Sequence, residues 1–582
     1  MDNAAANTRA ARALIRGLAR TGVRHACVTP GSRSTPLTVA LSEQSTIRPW
    51  LHLDERSSAF FALGLARATG SPVAIVCTSG TAAANLHPAV AEADLSRIPL
   101  VMLTADRPPS LRGVGAAQTI DQVRLFGNAT RWWCDLPLPS DGASDPVRFE
   151  SLAERAVRLA LGAPAGPVHL NTPFDEPLIA APGEHPAPDP IDVIGTAPEA
   201  SESEPARADV EAAVRLLARS RRPLLVAGPE TGGLPADEIC RLAERLDAPI
   251  LADPLSGLRT GAHDRERILD SYDAILRDDR ASAFAPDAIV RLGAIPTSKA
   301  LGQFMNTVRG VPHVLIDRPE AWRDPFAVAT TLLPGSPAAT VRAMADTMPE
   351  RSAEPGWTSN WLTANAQATA AMQAKCVGFT EAFEGRVFPE LQSALPEGTT
   401  LMVGNSMPVR DADSFLVCSQ GRLEVIGNRG ANGIDGVISS AAGTAAAGKS
   451  RVVLVVGDLS FYHDMNGLWA AKKHSLDLTV VLINNKGGGI FHYLPQAAHS
   501  EVFEDWFGTP SGLDFAQAAE LYGSRYFRAD EWDTFREGLN NRDEPGLTII
   551  EVPATREANV EMHKEAWAAA ADAAWNHEGS GP

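Results

Sequence analysis

The chain has 582 residues, of which 45% are hydrophobic and 21% are charged. This composition is typical of a globular protein with large buried cores, and the length predicts about three or four domains. The formal net charge of −18 argues against a broad positive surface for nucleic acid or an anionic membrane. An anionic ligand would therefore have to be bound by a local cluster of basic residues.

The cysteines and the N-terminal segment indicate the cellular compartment. The six cysteines are scattered and form no CxxC pair, so we expect buried, reduced thiols. The N-terminal segment carries charges throughout, and no later window resembles a membrane span. We therefore predict a cytoplasmic protein that binds neither nucleic acid nor a membrane.

Short apolar runs alternate with Ala-rich helical segments along the chain. The runs are apolar almost throughout, which is typical of strands covered on both faces of a parallel sheet. The sequence therefore predicts an α/β protein built from doubly wound, mainly parallel sheets. In chain order, the predicted strands lie near residues 25–30, 72–78, 99–105, 166–172, 222–229, 248–254, 287–294, 312–319, 399–404, 423–427, 451–457, 478–484 and 547–553.

Two polar segments divide the chain into three α/β domains. Residues 182–206 are rich in Pro, Ala and acids and have no sustained periodicity, which predicts a linker, and residues 347–357 are a second polar segment that contains proline. The similar stretches TSGTAAANL, near residue 80, and SSAAGTAAAG, near residue 443, hint that the first and third domains share a design. We predict domains at residues 1–185, 207–346 and 375–582.

Polar residues follow two predicted strands of the third domain. The first of these strands leads into Gly457, Asp458, Leu459 and Ser460. Asn485 follows the next strand, and ligands of open parallel sheets bind beyond such strand ends. Mg²⁺ prefers the oxygens that Asp458 and Asn485 supply, and Gly487 can turn the chain so that a main-chain carbonyl joins them. Either group alone would be read as turn residues, but together they predict a site for a metal ion and a diphosphate.

This pair of motifs resembles the GD and NN signature of enzymes that use thiamine diphosphate (ThDP) with Mg²⁺ or Mn²⁺. The resemblance implies that a carboxylate from another domain contacts the aminopyrimidine ring of the cofactor and promotes its reactive form. Glu55 is the candidate, although an acid in the first turn of a helix also interacts favourably with the helix dipole. Residues 76–90 resemble the pyrimidine-binding segment, with Thr78, Ser79 and Gly80. Since such sites are usually built between chains, a homodimer or homotetramer is implied.

Four longer stretches resemble one family more closely. Residues 28–37, 52–67, 103–122 and 427–436 are similar to those of the 2-succinyl-5-enolpyruvyl-6-hydroxy-3-cyclohexene-1-carboxylate (SEPHCHC) synthases of menaquinone biosynthesis. The similarity runs along nearly the whole chain and is densest in the first and third domains. It implies a carboligase that decarboxylates 2-oxoglutarate and adds the succinyl carbanion equivalent to isochorismate.

Such a reaction requires cations, because each of the two substrates carries two carboxylates. Guanidinium groups bind carboxylates in bidentate fashion, which fixes orientation as well as charge. The basic candidates at Gly- or Pro-punctuated strand ends are Arg33, Arg107, Lys299, Arg410 and Arg429. We expect this set to form the substrate pocket, although any one of them could instead be a solvated surface residue.

The family resemblance implies further residues around the cofactor and the substrates. It adds Ser32, Gln118 and Ser406 as hydrogen-bonding partners in the substrate pocket. It also places Ile434 beneath the bent cofactor, and Ile490 and Phe491 against the reacting carbons. Apolar side chains suit that last role because a dry pocket favours decarboxylation, although core packing is an alternative explanation for them.

Two positions depart from the family pattern. Ala117 precedes Gln118 where some relatives have Asn, and Ala300 follows Lys299 where some have another basic residue.

Two other functions stay open. An acetolactate-synthase-like enzyme or simple 2-oxoacid decarboxylase would use pyruvate or an aryl oxoacid and would need fewer arginines. A nucleotide-binding regulatory protein would bind phosphates without turnover, although residues 226–233 lack the G-x-G-x-x-G fingerprint.

Overall fold

The computed structural model describes residues 2–139, 146–180, 203–318, 322–541 and 545–576. Three six-stranded sheets follow one another along these residues, and all their strand pairs are parallel. Helices lie between the strands, as parallel connections require. The predicted α/β class with three parallel sheets is confirmed.

The first sheet contains β1 (His25–Val28), β2 (Arg48–Leu51), β3 (Val73–Cys77), β4 (Leu100–Asp106), β5 (Trp132–Asp135) and β6 (Val168–Pro173). Its spatial order is β2-β1-β3-β4-β6-β5. The helices of this part are α1 (Asn3–Arg20), α2 (Thr35–Ser42), α3 (Glu55–Thr69), α4 (Thr81–Ala84), α5 (His87–Ser96) and α6 (Pro146–Leu161). β3 and β4 are buried along their whole length, because helices cover both faces of the sheet.

The central sheet contains β7 (Pro223–Ala227), β8 (Ile250–Ala252), β9 (Ile268–Leu269), β10 (Ala288–Leu292), β11 (His313–Asp317) and β12 (Thr331–Pro334). The helices are α7 (Arg207–Leu217), α8 (Ala236–Leu246), α9 (Tyr272–Leu276), α10 (Lys299–Thr307) and α11 (Pro337–Thr347), followed by α12 (Trp357–Gly378). The spatial order β12-β11-β10-β7-β8-β9 is that of doubly wound nucleotide-binding folds, but strand order alone assigns no ligand.

The third sheet contains β13 (Thr400–Val403), β14 (Glu424–Ile426), β15 (Val452–Gly457), β16 (Leu478–Asn484), β17 (Arg525–Arg528) and β18 (Leu547–Pro553). Its helices are α13 (Val387–Ala394), α14 (Met407–Phe415), α15 (Val437–Ala446), α16 (Asp458–His463), α17 (Leu468–Lys473), α18 (Ser500–Phe503), α19 (Phe515–Tyr522), α20 (Trp532–Asn540) and α21 (Arg556–Trp575). The spatial order β14-β13-β15-β16-β18-β17 repeats that of the first sheet, strand for strand. The shared design that the sequence hinted at is therefore present.

The first and third sheets are joined through α3 and α15. A Cβ on Gly64 would lie 1.9 Å from the carbonyl oxygen of Ser440, and a Cβ on Gly443 would lie 2.0 Å from that of Phe61. Glycine at both positions lets the two helix backbones touch. The Ser440 hydroxyl donates to the Phe60 carbonyl at 3.2 Å across this contact. One hydrophobic core continues from the first sheet into the third.

The differences from the predicted elements lie at the sheet edges and between the second and third domains. The sequence predictions omitted β2, β5, β9, β12 and β17, and each of these strands lies at the edge of its sheet. They also omitted α12, which packs against α21 and belongs to a core shared by the central and third sheets. None of the helices in the described ranges is long and apolar enough to cross a bilayer.

The two predicted boundary segments differ in what the structure describes. Residues 182–202 of the first one lie outside the described residues, and residues 203–206 form neither helix nor strand. The second one is fixed to the central part, because the Glu354 amide donates to the Arg221 carbonyl at 2.8 Å. The Ala353 amide also donates to Asp247 Oδ2 at 3.1 Å. The domain boundaries themselves stay predictions.

Candidate active site

A cavity of about 380 Å³ opens beyond the carboxyl ends of β13, β15 and β16. All twelve site residues predicted in the third domain line it: Ser406, Arg410, Arg429, Ile434, Gly457, Asp458, Leu459, Ser460, Asn485, Gly487, Ile490 and Phe491. They come from four segments, at the carboxyl ends of β13, β14, β15 and β16, which gather here because the strands are parallel and end at one edge. The cavity has both charged and apolar walls.

Asp458 and Asn485 are brought together by the register of β15 and β16. Gly457 pairs with Ile483 across these strands, so the residues that follow leave the sheet side by side. Both side chains are buried, and Asp458 Oδ2 and Asn485 Oδ1 have no hydrogen-bond partner among the described residues. Buried polar atoms are normally paired. Two unpaired oxygens on one cavity wall therefore fit a hard divalent cation.

Gly487 completes this wall with its main chain. Its φ is +138°, and a Cβ there would lie 1.9 Å from the carbonyl oxygen of Gly508, so only glycine fits. Burial raises the pKa of Asp458 to about 6. The main-chain amides of Leu459 and Gly487 act in the opposite direction and offset part of this rise. A bound divalent cation would favour the ionised carboxylate, because opposite charges lower an acid's pKa.

The composition of this wall differs from that of common transition-metal sites. Within the described ranges, no group of three His, Cys, Asp or Glu side chains is placed to hold a metal ion. The wall instead offers one carboxylate, one amide and main-chain groups. Such oxygen ligands, completed by phosphate oxygens, suit Mg²⁺ or Mn²⁺ better than Zn²⁺ or Cu²⁺.

Arg429 is presented to the cavity by a loop whose shape is fixed from two sides. Its Nη1 donates to Asn405 Oδ1 at 2.6 Å. Glu92, on α5, accepts from the main-chain amides of Gly430 and Ala431 at 2.8 and 2.6 Å. Because Glu92 belongs to the first sheet's helices, that part of the chain also supports the cavity.

A second cavity, of about 700 Å³, adjoins the first and extends towards the central sheet. The two cavities share Met407, Arg410 and Ile490, and Lys299, the first residue of α10, lines the second one. Ser406, which precedes α14, has a φ of +70°, and its carbonyl accepts from Arg410 Nη1 at 2.6 Å. Strained backbone of this kind often marks a functional site. The combined space is lined by four cationic side chains: Arg277 and Lys299 from the central part of the chain, and Arg410 and Arg429 from the third-sheet region.

The eight site residues predicted in the first domain lie around the carboxyl edge of the first sheet, in loops or, for Glu55, at the start of α3: Ser32, Arg33, Glu55, Thr78, Ser79, Gly80, Arg107 and Gln118. Register places these loops level with one another, because Val28 pairs with both Leu51 and Val76. None of the residues in 2–139 and 146–180 lines either of the two cavities. Within one chain, the predicted site residues therefore form two separate groups.

Hydrogen bonds connect several members of the first group. Ser79 Oγ donates to the Gln118 carbonyl at 3.1 Å, and Gln118 Nε2 donates to the Ser79 carbonyl at the same distance. Arg107 Nη1 donates to Ser79 Oγ. The Gly80 amide donates to Gln122 Oε1 at 2.8 Å, and a Cβ on Gly80 would lie 3.0 Å from the Gln118 side chain. These contacts fix the loop that follows β3.

Two arginines of the first group are placed to attract an anion. Arg33 is only 6% exposed, and its Nε is buried with no acceptor among the described residues. Its other nitrogens donate to the Phe174 carbonyl and to the exposed carboxylate of Glu176. Burial, and then the charge of Arg33, lower the pKa of Arg107. Two guanidinium groups within electrostatic range of each other would be stabilised by a carboxylate ligand.

Glu55 is the first residue of α3 and is half-buried. The preceding Asp54 caps the helix, accepting from the amides of Arg56 and Ser57 at 2.8 and 3.3 Å. Because Asp54 already caps the N-terminus of α3, the Glu55 carboxylate is not needed for that role. Its charge raises the pKa of Cys77 in addition to the effect of burial, so Glu55 lies close to the end of β3.

Comparison with known proteins agrees with this geometry. A family profile described as "Thiamine pyrophosphate enzyme, N-terminal TPP binding domain" matches residues 8–125, and one described as "C-terminal TPP binding domain" matches residues 415–552. The chain is 48% identical to a 2-succinyl-5-enolpyruvyl-6-hydroxy-3-cyclohexene-1-carboxylate synthase of Geobacillus kaustophilus over 96% of each chain. Synthases of the same name from Geobacillus thermodenitrificans and Chloroflexus aurantiacus are 47% and 46% identical over 95% of each chain. The chain belongs to the SEPHCHC synthase family.

Four residues that the sequence analysis did not single out also belong to the candidate SEPHCHC synthase site. Glu384, Asn405 and Asn432 line the cavity of about 380 Å³, called the cofactor cavity below, and buried Gln122 accepts from the Gly80 amide. Asn432 and Gln122 lie inside the stretches 427–436 and 103–122, and Asn405 precedes Ser406, so all three could have been found from these motifs. No local signal marks Glu384, because its contact with Asn485 joins residues that are 101 positions apart.

Proposed function

We propose that the protein catalyses the synthase reaction for which its relatives are named. In this reaction, 2-oxoglutarate loses carbon dioxide, and the remaining succinyl unit forms a carbon–carbon bond to isochorismate, giving SEPHCHC on the way to menaquinone. The observation that carries the proposal is the cavity whose wall combines Asp458 and Asn485 with Arg410 and Arg429. This wall offers oxygens for a metal diphosphate and cations for carboxylate substrates in one space.

ThDP, when bound, supplies the carbanion chemistry that both halves of the reaction require. Asp458, Asn485 and the main chain at Gly487 would hold its diphosphate through Mg²⁺ or Mn²⁺. Thr78, Ser79 and Gly80 would contact its pyrimidine ring, and the Glu55 carboxylate would accept a hydrogen bond from that ring. Leu459 and Ser460 would stand beside the diphosphate, and the Ser460 hydroxyl donates to the Ile434 carbonyl at 2.8 Å.

The remaining residues of the two groups would bind and orient the substrates. Arg33, Arg107, Lys299, Arg410 and Arg429 would bind carboxylates, with Ser32, Gln118 and Ser406 as hydrogen-bonding partners. Ile434, Ile490 and Phe491 would exclude water from the reacting carbons, which favours loss of an uncharged carbon dioxide from a charged carboxylate. Lys299 reaches the shared space from the central sheet, so this part of the chain would contribute to substrate selection.

We propose that the active unit is a homodimer or homotetramer in which each site is completed by a second chain. The reason is that the two groups of site residues stay apart in one chain, while either group alone lacks part of the chemistry. Leu53 and Tyr462, which are 61% and 55% exposed, lie close in sequence to Glu55 and Ser460. Exposed apolar side chains at such positions favour an interface. The cytoplasmic location predicted above stays part of this proposal.

The test is ThDP- and Mg²⁺-dependent release of carbon dioxide from 2-oxoglutarate, measured with and without isochorismate. We expect turnover that depends on isochorismate in the native protein, and a loss of about 10²- to 10⁴-fold in Glu55→Gln, because the carboxylate that promotes proton movement is gone. Glu43→Gln is the matched control, since Glu43 is a surface glutamate paired with Arg12 at 2.6 Å. Turnover that ignored isochorismate or required pyruvate would contradict the synthase assignment.

A further inference from the structure

A buried glutamate lies directly behind the proposed metal site. Glu384 is 2% exposed, and its Oε1 accepts from Asn485 Nδ2 at 2.9 Å. The same Asn485 side chain has its Oδ1 buried and unpartnered at the cavity wall. Glu384 also lines that cavity, so no other side chain separates it from the cofactor space. The glutamate and the cavity therefore contact opposite ends of one amide.

A carboxylate at this position selects one of the two orientations of the amide. The oxygen and nitrogen ends of an asparagine side chain are nearly equal in shape, so packing alone does not distinguish them. An ionised carboxylate accepts hydrogen bonds but cannot donate them. Because Glu384 Oε1 accepts from Asn485 Nδ2, the NH₂ end of the amide faces Glu384 and the oxygen end is left facing the cavity. Only that orientation can coordinate a cation.

Glu384 is itself held in place by neighbouring elements. Its main-chain amide donates to Asn559 Oδ1, on α21, at 2.8 Å. The next residue, Gly385, is packed so closely that a Cβ there would lie 2.4 Å from the Phe415 ring. Asn559 is fixed in turn, since its Nδ2 donates to the Thr555 carbonyl at 2.9 Å. The carboxylate consequently cannot move away from Asn485 without disturbing packed helices.

The charges around Glu384 favour a cation in the cavity. His563 is fully buried, and its Nδ1 and Nε2 lie 2.7 and 2.9 Å from the Asn559 carbonyl and Asp411 Oδ1. Because each ring nitrogen faces an acceptor, both nitrogens carry a proton and the ring is positively charged. That single positive charge faces Asp411 and Glu384, with Asp458 also within electrostatic range. A divalent cation between Asp458 and Asn485 would add a further compensating charge for these carboxylates, and buried charges are favourable only when compensated.

We propose that Glu384 is a positioning residue that sets the Asn485 amide with its oxygen towards the divalent cation of the cofactor site. This inference rests on the proposed function, because it assumes that a cation binds between Asp458 and Asn485. Residues behind metal ligands typically change metal affinity about 10- to 100-fold when they are replaced. Glu384 would thus determine how tightly the metal is held, while taking no part in the reaction itself.

The first experiment is a Mg²⁺ titration at a fixed concentration of ThDP, in which binding is monitored by tryptophan fluorescence or by calorimetry. We expect Glu384→Gln to weaken Mg²⁺ binding by about 10-fold, because glutamine can both donate and accept and so permits both amide orientations. The Mg²⁺ concentration that gives half-maximal turnover should rise by about the same factor. Glu390→Gln is the matched control, since this buried glutamate pairs with Arg386 and Arg536 at 3.1 and 2.9 Å and does not contact Asn485.

A second experiment separates orientation from a general loss of packing. In Asn485→Asp, two carboxylates would face each other, so the melting temperature of the metal-free protein should fall. Adding Glu384→Gln should then raise it again, because a glutamine NH₂ can donate to the new aspartate. Glu384→Gln should therefore lower the melting temperature in the native background and raise it in the Asn485→Asp background. A merely structural role would not produce this reversal of sign.

The outcomes distinguish the inference from the proposed function. A native protein that failed to bind Mg²⁺ and ThDP would overturn the proposed function, and this inference with it. Native binding with an unchanged Mg²⁺ affinity in Glu384→Gln would overturn the inference alone. The same conclusion would follow if Glu384→Gln lowered the melting temperature equally in both backgrounds.

Discussion

The first and third sheets have the same strand order, but the carboxyl ends of their strands differ in the unpaired buried polar atoms that they present. The first sheet ends in Arg33 and Arg107, and the Nε donor of Arg33 is buried without an acceptor among the described residues. The third sheet ends in Asp458 and Asn485, which present unpaired acceptor oxygens. One edge thus has a buried donor without an acceptor, and the other has buried acceptors without a donor, beside the cationic Arg410 and Arg429.

This comparison separates what the fold determines from what the residues determine. The strand order decides where loops gather, because parallel strands end at a common edge. The residue types in those loops decide the ligand: donors suit carboxylates, and hard oxygen acceptors suit a divalent cation. A reaction between a metal-bound cofactor and carboxylate substrates needs both kinds of edge. The Glu55 carboxylate lies at the first-sheet edge and the metal-binding oxygens lie at the third-sheet edge, so a site that contains both requires the two edges to face each other.

The largest expected effect comes from breaking one edge in each of two chains and then mixing them. Glu55→Gln should lose about 10²- to 10⁴-fold in turnover, because it removes the carboxylate that promotes proton movement. Asp458→Ala should also be inactive, because it removes the carboxylate oxygen proposed to hold the divalent cation. If sites form between chains, a mixed dimer contains one intact edge of each kind. Random exchange of subunits should then restore about a quarter of native turnover, because half of the dimers are mixed and each has one working site.

The measurement is carbon dioxide release after co-expression or reversible dissociation of the two variants. Mixing each variant with itself is the control, and neither self-mixture should recover activity. A mixture as inactive as its components, in material shown by sedimentation to contain mixed dimers, would mean that each chain builds its sites alone.

A smaller effect is expected from changing the geometry of one donor on the first edge. Arg107→Lys keeps the positive charge but removes the planar fork that binds a carboxylate through two parallel hydrogen bonds. We expect the KM for one of the two substrates to rise about 10-fold while kcat changes less, since binding and not proton movement is impaired. Steady-state kinetics in each substrate would measure this.

The control for that prediction lies on the same loop. Arg112 is already paired with Asp106 and Asp135 at 2.9 and 2.8 Å, so it has little capacity for an added carboxylate. Arg112→Lys should leave both KM values near those of the native protein. Equal effects of the two replacements would indicate that the loop's structure, and not substrate contact, is what was changed.

The sequence predicted the central strands of all three sheets and missed most of the edges for one physical reason. Strands such as β3 and β4 are buried on both faces and read as continuous apolar runs. β2 has the sequence RPWL, with three of its four residues exposed, and β17, RYFR, begins and ends with arginine. Edge strands need less burial, so their sequences carry a weaker signal.

The candidate site shows the same division between local and long-range information. The residues of the third-domain cavity could be predicted because they stand in motifs next to strands, where sequence neighbours are also spatial neighbours. Glu384 could not be predicted, since it lies in a short turn before α13 and reaches Asn485 only through tertiary packing. Likewise, nothing in the sequence indicates that Glu92 supports the loop of Arg429, because they lie on different domains.

The joint between the two compared regions contains a buried histidine that predicts how stability depends on pH. The ring of His52 lies 4.6 Å from that of Phe61 and 6.2 Å from that of His474, a residue of the third-sheet region. Burial, and then the charge of His474, lower the pKa of His52 to about 3. An exposed histidine has a pKa of about 6.5. The folded chain therefore stays neutral at His52 over a pH range in which the unfolded chain takes up a proton.

Between pH 6.5 and about 3, the unfolded state binds more protons, so the free energy of unfolding should fall as the pH decreases. This single group contributes up to about 1.4 kcal/mol per pH unit. His52→Leu should make the decline between pH 6 and 4 shallower by about that amount, measured by urea unfolding at each pH. His499→Leu is the control, because that ring is exposed and meets solvent in both states. Parallel pH profiles for the native protein and His52→Leu would mean that the joint between the two sheets opens enough to admit the proton, and that the continuous core is weaker there than its packing indicates.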